Sequence, residues 1–172
     1  MTNETLETIK SRRSCRAYKP EQITAEELEA VTTAGTWAAT AMGRQSPVMV
    51  AVQDKETLAE LSRLNAAVMG TQNDPFYGAP TAVLVLGEKN NPNGVQDASL
   101  VMGNLMNAAE SLGVASIWIH RAKEEFESDF GKKFLLILVF RANTKGSVTA
   151  HSDMQQSRQK RRMQEKRIMC II

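Results

Sequence analysis

"TAVLVLGEKNNPNGVQDASLVMGNLMNAAESLGVASIWIH" spans residues 81–120, and its reading decides the fold. It opens on an unbroken apolar run, which predicts a strand buried on both faces rather than one that alternates. "VQDASLVMGNLMNAAESLG" then predicts a long, mostly buried helix ending at Gly113. "VASIWIH" predicts another apolar strand. Strand, helix and strand in this order argue for an α/β or α+β domain, with helices covering a layered sheet.

Working outward from there, the same punctuation recurs. Upstream, "PVMVAV" after Pro47 predicts a further buried strand. "DKETLAELSRLNAAVMG" predicts an amphipathic helix whose Leu58, Leu61, Leu64 and Val68 share a face. In "TAEELEAVTTAG", Thr24 and Glu27 form a capping box and Gly35 stands where a C-cap belongs. Thr2 to Lys10 predicts a short helix running into the basic turn "SRRSCRAYKP". Downstream, "AKEEFESDFGKKFLL" predicts one polar-faced helix, and regular signals stop near Leu136. No internal repeat is visible.

A length of 172 residues suits one domain with a real core, and 42% hydrophobic with 23% charged residues fits a soluble chain. No apolar run is long enough to span a bilayer, and "MTNETLETIK" has no signal-peptide apolar stretch, so a cytoplasmic location is expected. Cys15 and Cys170 make neither a disulfide framework nor a metal-ligand spacing. The net charge of +2 hides an asymmetry, because residues 141–172 hold eight Lys/Arg against two Asp/Glu.

Three loops carry possible chemistry. Arg12, Arg13 and Arg16 surround Ser14, and arginine forks with a hydroxyl suit phosphate oxygens, although a solvated basic turn looks the same. In "AATAMGRQSP", Thr40 and Gly43 would let backbone approach a flat ligand, and Gln45 can donate and accept. An ordinary helix-to-strand connection would also read this way. Trp118 and His120 close the "SIWIH" stretch, where a packing Trp and a surface His are equally natural.

Taken in order, "RRSCRAY" (12–18), "AGTWAATAMGRQSP" (34–47), "FYGAPTAVLV" (76–85) and "DASLVMGNLMNAAESLGVASIWIHRAKEEF" (97–126) resemble the nitroreductase family of flavin enzymes. The resemblance runs over about residues 5–136. It implies an α+β fold, a three-layer α-β-α sandwich, assembled as a homodimer with FMN at the interface. It implies that Arg12, Arg13 and Ser14 hold the FMN phosphate and ribityl chain, with Arg16 reaching toward the pyrimidine edge. Thr40, Gly43 and Gln45 would come from the partner subunit, Asn65 would meet the flavin edge, and Trp118, Ile119 and His120 would lie beside the isoalloxazine. Departures occur at Ala39-Thr40, where Pro-Ser or Pro-Thr is usual, at Gly43, where Asn is common, and at Gln45-Ser46-Pro47, where Gln-Pro-Trp is frequent. They suggest a subgroup and leave the acceptor open.

The implied chemistry is ping-pong hydride transfer: NADH or NADPH reduces flavin N5, leaves, and a nitroaromatic, quinone or similar flat acceptor takes its place. No protein side chain needs to react, and no metal, nucleic acid or membrane is implied. Positive charge near the pyrimidine edge would stabilise reduced flavin. Two alternatives stand beside this reading. One is a flavin protein of the same fold with other chemistry, such as dehalogenation or flavin cleavage. The other is a nonenzymatic, basic-tailed nucleic-acid binder.

Nothing after Leu136 matches the family's closing strand and arm, so residues 1–136 are expected to form the FMN-binding domain and 137–172 a basic, disordered or misfolded tail. A shifted reading frame restores the match. Joining the last base of each codon to the first two of the next, from the Leu138 codon through Ser157, permits Gly-Val-Pro-Gly-Glu-Tyr-Glu-Gly-Ile-Gly-His-Cys-Ala-Leu-Gly-Tyr-Ala-Ala-Glu-Pro. The same shift over Glu165 to Ile172 permits Gly-Lys-Glu-Asn-Tyr-Val-Tyr-Tyr. Degeneracy loosens most positions, but Met154-Gln155 forces Ala and Met169-Cys170 forces Val. A single-base slip near the Leu135–Leu138 codons is the reading, against a genuine basic tail. It predicts an exposed apolar sheet edge, weaker FMN retention and a less stable dimer than in an intact relative.

Overall fold

A computed structural model describes residues 2–144 and 168–171. In chain order it contains α1 (Glu4–Ser11), α2 (Ala25–Thr36), a 3-10 turn (Ala41–Gly43), β1 (Val48–Val52), α3 (Lys55–Met69), β2 (Ala82–Glu88), α4 (Gly94–Ser111), α5 (Ala122–Glu127), α6 (Asp129–Thr144) and β3 (Ile168–Ile171). The sheet is antiparallel in the order β1-β2-β3, with Val50 opposite Leu84 and Leu86 opposite Cys170. Among the described residues no helix is long and apolar enough to cross a membrane.

β2 explains the layering. Successive side chains on a strand point to opposite faces. Leu84 and Leu86 enter one core with Leu58 and Leu61 of α3 and Phe126 of α5, while Val85 enters another with Val31 of α2 and Val101 and Leu105 of α4. The result is helix, sheet, helix, which is the expected three-layer sandwich. Leu61, Leu84 and Val85 are fully buried, each worth about 1.5–3 kcal/mol of transfer free energy.

The helix start expected at Thr24 is present. Thr24 and Glu27 form the reciprocal capping box of α2. Elsewhere the structure corrects the reading. Gly35 is not a cap: α2 runs one residue further, and a Cβ on Gly35 would meet Met49 Sδ at 2.7 Å and Leu105 Cδ2 at 2.9 Å, so its smallness seats α2 against β1 and α4. In α3 the buried stripe turns from Leu58 and Leu61 to Asn65, leaving Val68 exposed. α4 is buried along Asp97, Val101, Leu105 and Ala109, yet Val95 and Leu100 face outward.

Among the described residues the predicted strand 114–120 is not a ladder strand; its one pairing there is a parallel bridge between Ser14 and Ser116. The single helix expected over 122–136 is two, because Ser128 adopts an extended ψ of 155°. Its Oγ accepts the Gly131 N–H at 2.9 Å and donates to the Glu125 carbonyl at 2.8 Å, closing α5 and capping α6 together. α6 continues to Thr144, past the expected end near Leu136. An exposed apolar sheet edge is expected; on β2 the second edge is partly covered, since β3 pairs along Val85–Glu88. The basic run 145–167 lies outside the described residues.

Candidate functional site

The bridge at Ser14 organises the site. Cys15 N–H donates to the Ser116 carbonyl at 3.0 Å, which ties the turn after α1 to the segment after α4. Residues a hundred positions apart in sequence thereby become neighbours, Ser14 and Cys15 on one strand of chain and Ser116 on the other, running in parallel. Arg13 folds back and donates through Nη1 to the Lys10 and Arg12 carbonyls at 2.7 and 2.8 Å, capping the negative end of α1. Arg12 is half-buried, and its Nη1 is shut off from solvent without an acceptor among the described residues. Arg16 is exposed.

The segment 118–120 shows strand-like alternation without a sheet. Ile119 packs into the α3/α5 core, whereas Trp118 packs against the α2/α4 core. Trp118 and His120 therefore share a side, and their rings stack at 5.4 Å with planes 5° apart. Two flat rings in parallel give this surface the geometry of a stacking platform.

Asn65 does not reach an open surface. It is fully buried and donates through Nδ2 to the His120 carbonyl at 2.9 Å and to Glu125 Oε2 at 3.2 Å. Its place is beneath His120, where it holds the backbone. Glu125 is itself 1% exposed. Burial pushes its carboxyl up to about 7, and the hydrogen bond from Asn65 opposes that rise. Sequence reading missed Glu125, because "KEEFE" reads as the polar face of a helix.

Thr40, Gly43 and Gln45 form a separate, tightly wound turn. Met42, Gly43 and Gln45 all have positive φ (53°, 60° and 48°). Two bonds offset that strain: Gln45 N–H donates to Thr40 Oγ1 at 2.9 Å, and Gln45 Nε2 to the Ala38 carbonyl at 3.1 Å. A Cβ on Gly43 would meet nothing within 4 Å, so the backbone there is open to an approaching group. Asp97, also missed, anchors the turn. It is 2% exposed and accepts the Ala41 N–H at 2.8 Å and Asn91 Nδ2 at 3.2 Å; Asn91 in turn reaches Ser46 Oγ at 3.3 Å. An acid on the apolar stripe of α4 was the signal that could have found it.

The two groups of residues are held to opposite ends of α4. The turn is fixed to Asp97 in the first turn of the helix, and Ser14 to Ser116, five residues beyond its last. No hydrogen bond among the described residues joins them.

Against known proteins, residues 9–132 match the model of the nitroreductase family, and the chain belongs to that family. A protein of Archaeoglobus fulgidus, named provisionally as an NADH dehydrogenase/NAD(P)H nitroreductase, is 31% identical over 121 residues, covering 67% of each chain. A nitroreductase of Bacteroides fragilis solved with bound FMN superposes with a TM-score of 0.74 at 33% identity, covering 80% of both chains. One from Desulfitobacterium hafniense, also with bound FMN, gives 0.73 at 29% identity over 80% of this chain and 81% of that one.

Proposed function

We propose that this chain is an FMN-dependent NAD(P)H oxidoreductase of nitroreductase type, acting as a homodimer in the cytoplasm. The observation that carries the reading is the Ser14–Ser116 bridge, which ties the arginine turn to the segment that goes on to hold Trp118 and His120. Bound FMN would supply the two-electron chemistry, taking hydride from a reduced nicotinamide and passing electrons to a nitroaromatic, quinone or similar flat acceptor.

The residues present fit that group. Arg12 offers a buried N–H that lacks an acceptor, and a phosphate oxygen is a natural one. Arg13, Ser14 and Arg16 would share the phosphate, ribityl chain and pyrimidine edge. Trp118, Ile119 and His120 would flank the ring system, with Asn65 holding the His120 carbonyl from below. Thr40, Gly43 and Gln45 would complete the site from the second subunit. Their attachment at the far end of α4 supports that division, as do Trp37 and Met42, 67% and 78% exposed beside the turn.

Residues 1–136 would be the catalytic domain, and we propose a single-base slip near the Leu135–Leu138 codons as the source of the unmatched tail. Sequencing the coding DNA tests the slip, and clean reads of this frame together with close relatives that share the tail end it. Function is tested by gel filtration with FMN, then stopped-flow bleaching by NADH or NADPH and reoxidation by a panel of acceptors. A colourless monomer that refuses excess FMN, with the restored-frame chain behaving the same, would refute the assignment.

A further inference from the structure

Glu125 of α5 and Asn65 of α3 form a buried polar pair that the flavin chemistry does not use; they are 1% and 0% exposed. Asn65 Nδ2 carries two N–H groups, and both are committed. One donates to the His120 carbonyl at 2.9 Å and the other to Glu125 Oε2 at 3.2 Å. Two oxygens are left over. Asn65 Oδ1 and Glu125 Oε1 are shut off from solvent, and neither meets a donor among the described residues. Turning the amide over does not help, because it would set Oδ1 against the His120 carbonyl oxygen. A single proton on Oε1 satisfies both oxygens at once.

A carboxylate in this place would also lack a counter-charge. α3, α6 and β3 pack against α5. On α3, Lys55, Glu56 and Arg63 are exposed and Glu60 is half-buried, with Arg63 bonded to Glu60. On α5, Lys123, Glu124 and Glu127 are exposed, and so are Asp129, Lys132 and Lys133 among the described side chains of α6. His120 and Arg121, just before α5, are exposed too, and Arg121 pairs with Glu124. β3 holds Cys170 and no charged residue. Burial accordingly pushes the Glu125 carboxyl up to about 7, and the Asn65 bond alone opposes the rise. A buried charge without a partner takes up a proton instead.

We propose that Glu125 stands as a carboxylic acid in a two-bond ring with the Asn65 amide, Oε1–H donating to Asn65 Oδ1 as Nδ2 donates to Oε2, and that this ring positions the His120–Arg121 backbone beside the flavin. The site it serves rests on the flavin reading above; the ring itself does not. Glu125 reaches the same stretch a second time, its own N–H donating to the Arg121 carbonyl at 3.0 Å. Arg121 lies between the two attachments at a φ of 85°, a conformation that a side chain resists. Ionisation breaks the Oε1–H bond and releases one proton to solvent. It leaves two orphaned acceptors and a buried charge beneath His120, so the hold on that strained backbone weakens as pH rises through 7.

Glu125→Gln supplies the test, because its amide offers the same donor and acceptor as the acid at every pH. Infrared difference spectra of the full-length chain without flavin, wild type minus E125Q, should show a protonated-carboxyl band at pH 5 that fades by pH 8. The amides of residues 119–122 should exchange faster in the wild type than in E125Q at pH 8 and equally at pH 5. FMN should bind the wild type about tenfold more weakly than E125Q at pH 8, where about a tenth of the acid form remains, and equally at pH 5. Comparing the two chains at each pH cancels the titration of the FMN phosphate itself. Absence of the band at pH 5 overturns the ring. Equal exchange over 119–122 at pH 8, or an FMN ratio of one at both pH values with only the unfolding midpoint moved, overturns the positioning role. Failure of the flavin reading looks different: neither chain takes up FMN at either pH, while the infrared band and the exchange rates still decide the proposal.

Discussion

Replacing Glu125 with Gln should stabilise this protein, and by an amount that depends on pH. The carboxyl is 1% exposed, and its pKa is pushed up to about 7 from an ordinary 4.5, chiefly by burial. A raised carboxyl pKa means that the folded state holds its proton more tightly than the unfolded chain. The group's stabilising contribution is thus complete below pH 4.5 and is lost as pH rises through 7. Linkage over that window gives a cost of about 3 kcal/mol at pH 8 and about 1 kcal/mol at pH 5. Gln keeps an oxygen for Asn65 Nδ2, which donates to Glu125 Oε2 at 3.2 Å, and removes the buried charge. Urea unfolding at both pH values reads the difference directly. With a slope of about 2 kcal/mol/M, the variant's midpoint should rise by about 1.5 M at pH 8 and by about 0.5 M at pH 5. An equal shift at the two pH values, or a loss of stability at pH 8, would refute the burial argument.

Arg12→Ala should weaken FMN binding by about 10- to 150-fold, the range for losing a charge-assisted hydrogen bond, as read by flavin fluorescence titration. Gly43→Ala should cost about 1–2 kcal/mol of stability from its φ of 60° alone, since the added Cβ meets nothing within 4 Å, and thermal unfolding checks it. Asp97→Ala should cost about 2–4 kcal/mol by stranding the Ala41 N–H and Asn91 Nδ2, whereas Asp97→Asn keeps an acceptor and should recover part of the loss in the same denaturant assay.

How much of this was legible in the sequence follows from the range of each signal. Local chemistry was readable: the Thr24/Glu27 box and the two apolar strands β1 and β2 depend on residues a few positions apart. Contacts set by distant chain were not. Gly35 looked like a helix stop because its reason for being small, Met49 and Leu105, lies in other elements. The 114–120 segment has the composition of a strand, yet strand structure needs a neighbour, and among the described residues only Ser116 finds one. Ser128 could have been read as a cap within "ESDFG", but the apolar period ran across it. The candidate site divides in the same way. The arginine turn is tied to the segment of Trp118–His120 through one long-range bridge at Ser14–Ser116, and Asn65 donates to the buried Glu125.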